Sequence, residues 1–129
     1  MHMHFGEHIT IDGYGGSKSK LSDKDLIHKV LVDLPSKLGM KIFSGPHLKY
    51  CGGGSPKDDG GWSGVVLINE SHISIHNFPD AKFLTADVYT CKNGMNVKYV
   101  ENYFKKKFSL KDVEVNFIKR GTRYSQNLK

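Results

Sequence analysis

The chain has 129 residues, of which 38% are hydrophobic and 25% charged, with a formal charge of +6, which is room for one domain with a modest core. No apolar run approaches the ~20 residues of a membrane span, and the start, Met1-His2-Met3-His4, has neither the basic opening nor the apolar block of a signal peptide. Two cysteines, Cys51 and Cys91, make no disulfide framework, so a reducing cytoplasm is the expected compartment.

Residues 5–12 alternate, with Phe5, Ile9 and Ile11 on one side, and predict a strand. Residues 13–20 predict a flexible loop. Ser22 is the expected N-cap of the first helix, with Asp25 as a weak capping box. Leu26, Ile27, Val30, Leu31, Leu34 and Leu38 then recur at helical spacing. Pro35 should kink that helix or end it, and Gly39 suits its stop. A second strand is expected from 40–44, resuming near Leu48-Lys49-Tyr50. Residues 51–61 are rich in Gly, Pro and Asp and read as a loop. Strands follow at 65–68, around Ile73 and Ile75, and at 84–90. Val97, Val100, Phe104 and Phe108 share a helical face, and Val113, Val115 and Phe117 give the last strand.

The expected order is β-α-β-β then β-β-α-β, two pseudo-symmetric halves meeting at Glu70-Ser71. Strands that bury one face under helices make an α+β fold, here a two-layer sandwich of a mainly antiparallel sheet with helices on one face. The positive excess sits at the end of the chain. Residues 1–97 hold ten Lys/Arg and ten Asp/Glu, whereas 98–129 hold nine and three. Lys105-Lys106-Lys107 and Lys119-Arg120 carry no nucleic-acid-binding motif. A solvated helix face and a frayed C-terminus account for them, and no nucleic-acid partner is expected. A small basic nucleic-acid-binding or regulatory module is the non-enzyme alternative.

The run Glu70-Ser71-His72-Ile73-Ser74-Ile75-His76 carries the chemistry, with Ser63 eight residues before Ser71 and Cys91 twenty after it. On a strand, His72, Ser74 and His76 point to one face and Ile73 and Ile75 to the other. A polar face is costly when buried unless it is satisfied or used. The plain alternative is that this face meets water. A metal set of His72, His76 and Cys91 is conceivable, but no fourth ligand has diagnostic spacing; no metal is expected.

This stretch resembles the self-cleavage site of prokaryotic-type S-adenosylmethionine decarboxylases. The likeness extends from Gly6-Glu7-His8 to Arg120-Gly121-Thr122-Arg123-Tyr124 and is most specific from Ser63 to Cys91. It implies that Ser71 is converted into a pyruvoyl cofactor after cleavage at Glu70-Ser71, giving a β chain 1–70 and an α chain 71–129. Ser63 and His76 match positions that assist processing. Cys91 matches the cysteine that returns a proton to the product carbon. Phe78 and Asp80 match an aromatic and an acidic position of the substrate pocket, and Tyr50 lies near an aromatic that stacks on adenine. The implied partners are S-adenosylmethionine, as substrate of spermidine biosynthesis, and a second copy, in a homodimer of cleaved protomers with active sites at the interface.

Two departures bear on the substrate. The family usually has Thr, an aromatic, Pro and Glu where this chain has Asn77-Phe78-Pro79-Asp80. The insert Cys51-Gly52-Gly53-Gly54 is also unusual. Relatives that decarboxylate arginine or ornithine with the same self-made cofactor are therefore the alternative within enzymes.

Overall fold

Six alternating segments pair into one sheet in the computed structural model, which describes residues 3–57 and 59–127. The strands are β1 (Gly6–Tyr14), β2 (Ser44–Cys51), β3 (Gly61–Ile68), β4 (Ser71–Phe78), β5 (Phe83–Thr90) and β6 (Asp112–Arg120). Their spatial order is β2-β3-β4-β5-β1-β6, and every neighbouring pair is antiparallel. The helices are α1 (Lys18–Leu21), α2 (Lys24–Lys37) and α3 (Val97–Lys107). None of the described helices is long and apolar enough to cross a membrane.

Alternation decides which sheet face is covered. Ile9, Ile11, Val66, Ile73, Ile75, Leu84 and Val88 are fully buried and share one core with Ile27, Val30, Leu31 and Leu34 of α2 and Val100 and Phe104 of α3. Each such side chain contributes about 1.5–3 kcal/mol of burial free energy. Tyr103 of α3 donates to Asp33 of α2 at 2.8 Å, so both helices lie on this side. The opposite face carries His8, Asp12, Ser63, His72, Ser74, His76, Asp87 and Arg120, and neither α2 nor α3 lies over it. The architecture is an α+β two-layer sandwich. Along the chain the order is the mirrored one expected, but the sheet interleaves the two runs: β1 lies between β5 and β6.

Several element ends depart from the sequence reading. Residues 13–20 are not a loop throughout: Gly13 and Tyr14 end β1, and Lys18 opens the one-turn α1. That turn takes Ser22 as its own C-cap, with Ser22 Oγ donating to the Lys18 carbonyl at 2.5 Å. Asp23 therefore caps α2, its Oδ1 accepting from Asp25 N at 3.0 Å and Leu26 N at 3.2 Å. Pro35 ends α2 only two residues on, at Lys37. Gly39, at φ 74°, closes a Schellman turn in which Gly39 N donates to Ser36 and Met40 N to Pro35. Residues 40–43 are irregular and β2 runs unbroken through 48–50. β3 starts four residues earlier than 65–68 predicts, because the glycines at 61 and 64 hide a strand that pairing reveals. Lys129, counted in the basic excess, lies outside the described residues.

Candidate active site

β4 begins at a tight turn. Asn69 has φ 47°, a left-handed conformation that Asn tolerates better than most residues. Ser71 N donates to the Asn69 carbonyl at 2.9 Å, closing a three-residue turn around Glu70. The Glu70-Ser71 peptide thus sits at the rim of the sheet. Ser71 itself is buried, and its Oγ accepts from Cys91 N at 3.1 Å. The sequence pair twenty residues apart is therefore in direct contact, because β4 and β5 run antiparallel and bring their Ser71 and Cys91 ends together.

The turn after β5 is tied down around them. Thr90 Oγ1 accepts from Lys92 N at 3.0 Å and lies 3.3 Å from Met40 Sδ. Lys92 Nζ donates to the Gly39 carbonyl at 2.9 Å. Ser71 and Cys91 open into a cavity of about 240 Å³ that Met40, Lys41, Ile68 and Lys92 help to line.

Ser63 and His76 occupy the other end. They are register partners across β3 and β4, and Ser63 Oγ lies 2.8 Å from His76 Nδ1. Both line a shallow depression of about 450 Å³ on the uncovered sheet face, with His47, Lys49 and Val65. Five strand residues separate His76 from Ser71, roughly 16 Å at 3.3 Å per residue. The pair cannot reach the Ser71 hydroxyl of its own chain. The conceivable metal set fails on the same ground: His72 and His76 stand roughly 13 Å apart, four strand residues at 3.3 Å each.

The expected substrate residues also lie toward the His76 end. Phe78 closes β4, stacks on Phe83 at 5.7 Å between centroids, and lines a cavity of about 300 Å³ with Ser55, Lys57 and Thr85. Asp80 follows in a 3-10 turn and pairs with Lys18 at 3.0 Å. Tyr50 sits on the sheet's edge strand against Trp62, with centroids 5.4 Å apart.

Between the two ends lies a network that no local pattern signals. Asp87 Oδ2 is 2.6 Å from His8 Nε2 and 3.1 Å from His72 Nε2, while Ser74 donates to Oδ1. Burial pushes the Asp87 carboxyl up, but the bonds from Ser74, His8 and His72 outweigh it and hold it below its ordinary range. Arg120 Nη1 lies 2.9 Å from His8 Nδ1, and its guanidinium stands 5.2 Å from the Tyr89 ring. Because Arg can only donate, His8 Nδ1 accepts, and its Nε2 proton goes to Asp87. His8, His72 and Asp87 have their ligand atoms within 4.8 Å. A metal on His8 Nε2 would put the ring proton on Nδ1, facing Arg120, so with Arg120 in this position the three side chains form a hydrogen-bonded network.

Both the sequence and the fold have counterparts among known proteins. The family model for S-adenosylmethionine decarboxylase matches residues 7–121. An S-adenosylmethionine decarboxylase proenzyme from Clostridium kluyveri is 37% identical over 116 residues, covering 90% of this chain and 86% of that protein. The protein of the same name from Clostridium tetani is 34% identical with the same coverage. The crystal structure of the adenosylmethionine decarboxylase from Aquifex aeolicus superposes with a TM-score of 0.73, at 28% identity and 92% coverage of both chains. The chain belongs to the S-adenosylmethionine decarboxylase family.

Proposed function

We propose that this chain is a proenzyme that cleaves itself between Glu70 and Ser71 and then decarboxylates S-adenosylmethionine. The carrying observation is the Cys91 N–H on the Ser71 hydroxyl oxygen, at the tight turn around Glu70. That hydrogen bond restricts the rotation of the hydroxyl next to the peptide bond it would attack. Ser71 Oγ adds to the Glu70 carbonyl carbon, the C–N bond breaks, and the Ser71 amine takes the hydroxyl proton. Loss of the Ser71 α-proton then breaks the Cβ–O bond and frees Glu70 as a carboxylate. Water hydrolyses what remains at position 71, releasing ammonia and leaving a pyruvoyl group on chain 71–129.

Position 71 fits such a group. It heads a strand, opens into a cavity and has Cys91 beside it. A pyruvoyl group there would supply an electrophilic carbonyl for the substrate amine and an electron sink for the substrate α-carbon during loss of carbon dioxide. Cys91 returns a proton to that carbon. Phe78, with Tyr50, offers an aromatic surface to the adenine ring and sulfonium, and Asp80, released from Lys18, accepts from the ribose hydroxyls.

Ser63 and His76 act as the donor and acceptor pair for processing. Their distance from Ser71 within one chain supports a homodimer in which two uncovered sheet faces meet about a two-fold axis. Each Ser71–Cys91 end then lies against the partner's Ser63–His76 end. The two free cysteines suit a cytoplasmic setting. Intact mass of the purified protein tests the reading, with fragments 1–70 and 71–129 expected, the second carrying the pyruvoyl. Carbon dioxide release from S-adenosylmethionine, arginine and ornithine tests the substrate. A single uncleaved chain overturns the processing step, and faster release from either amino acid overturns the substrate.

A further inference from the structure

Glu7 is a carboxylate only 4% exposed, and nothing in the chemistry above uses it. Its backbone pairs with Thr90, the residue before Cys91. Its side chain reaches to the turn beyond: Oε1 accepts from Met95 N at 2.8 Å and Oε2 from Gly94 N at 3.1 Å. His4 Nε2 lies 2.9 Å from Oε2, and Asn93 Nδ2 donates to the His4 carbonyl at 3.2 Å. One residue therefore grips the chain on both sides of Cys91. Gly6 permits the close approach, since a Cβ there would stand 2.4 Å from the Thr90 carbonyl oxygen and 3.3 Å from Cys91 Cα. A buried carboxylate is costly unless donors satisfy it, and here two of its donors are backbone amides of the Cys91 turn.

We propose that Glu7 is a positioning residue for Cys91: by tying residues 94 and 95 to β1, it sets where the Cys91 thiol and N–H stand relative to position 71. The catalytic consequence rests on the decarboxylase reading; the anchoring does not. Residues 91–96 belong to no strand or helix, so the carboxylate supplies the bonds that a ladder would otherwise provide. A reacting group misplaced by about 1 Å costs on the order of a hundredfold in rate. For proton return the cost falls on fidelity: a badly placed thiol lets the proton reach the carbon at position 71 instead, so the substrate nitrogen stays there as alanine and water releases the decarboxylated substrate as an aldehyde.

Two variants test this. In Glu7→Gln the amide oxygen can serve one backbone N–H, while the amide NH2 confronts the other. Glu7→Asp keeps the charge on a stem too short to reach both amides. The first measurement needs no activity: the alkylation rate of Cys91, with the exposed Cys51 as internal reference. Cys91 should react about tenfold faster as its turn loosens, with Cys51 unchanged. The second is the number of turnovers before position 71 becomes alanine, read by mass. It should fall about tenfold or more, with KM changed less than about threefold. A merely structural role lowers the folded fraction but leaves the fate of each folded site alone. Wild-type alkylation and wild-type turnover number in folded Glu7→Gln overturn the proposal; if Glu7→Gln does not fold, the same two readouts in Glu7→Asp decide it. A wild-type chain that neither cleaves nor releases carbon dioxide sinks the decarboxylase reading, and the alkylation arm still decides the anchor.

Discussion

The two ends of β4 hold their functional groups by different means. At the first residue, the Ser71 hydroxyl is fixed by a backbone N–H, and the turn before it is closed by another backbone bond. At the sixth, His76 is exposed and, among the described residues, its ring is held only by the Ser63 hydroxyl of its register partner, side chain to side chain. Backbone-built geometry survives substitution of its neighbours but not a shift of the chain. A side-chain pair is erased by one truncation that leaves the fold intact. The two ends lie roughly 16 Å apart within one copy, so in the dimer proposed above each chain contributes two half-sites.

The sharpest break of this comparison is Ser71→Ala. Without a hydroxyl the peptide bond has no internal nucleophile, and the protein should remain one 129-residue chain by intact mass. Normal cleavage would remove Ser71 from the mechanism. Next comes a mixing experiment. His76→Ala and Cys91→Ala should each lose about a hundredfold or more in activity as homodimers. Co-expressed in equal amounts, half of the dimers are mixed and each has one intact composite site, so about a quarter of wild-type activity should return. Mixed dimers that form but stay inactive would refute the two-copy arrangement.

The network between the ends predicts a smaller, pH-dependent effect. Asp87→Asn loses charge-assisted bonds to His8 and His72 and should destabilise the fold by about 2 kcal/mol at pH 7. The folded Asp87 carboxyl is held below its ordinary value. Its contribution is therefore present above about pH 4 and lost as pH falls through the lower folded value. Urea melts should show the gap between wild type and Asp87→Asn closing toward pH 3. A gap that is the same at both pH values would show that Asp87 acts through packing alone.

The smallest expected effect is at the outer edge of the His76 end. The Lys18–Asp80 pair is well exposed, so Asp80→Ala should change stability by less than about 0.5 kcal/mol. If Asp80 binds the ribose diol, kcat/KM for S-adenosylmethionine should fall about tenfold, since Lys18 competes for the carboxylate. Unchanged kinetics would leave Asp80 as a turn residue.

Much of this is legible in the sequence. Period-two apolar residues in β1, β4 and β5 and the 3.6-residue stripe of α2 named the buried face, because those periods are properties of the backbone itself. The Ser71 to Cys91 motif was legible through family likeness. Other features had no local signal. α1 is one turn long and depends on burying Leu21, since isolated turns do not pay for their own nucleation. The first half of β3 carries Gly61, Ser63 and Gly64, whose strand character comes only from partners on β2 and β4. His8, Asp87 and Arg120 are joined across as many as 112 residues.

Which residues face the helices follows from spacing within a few turns of chain, and which serine, histidine and cysteine to suspect follows from the likeness to a known family. That Ser71 meets Cys91 but not His76, and that Glu7 grips the Cys91 turn, was decided by strand order and register. Those depend on how six strands compete for neighbours across the whole sheet, and no short window of residues contains that competition.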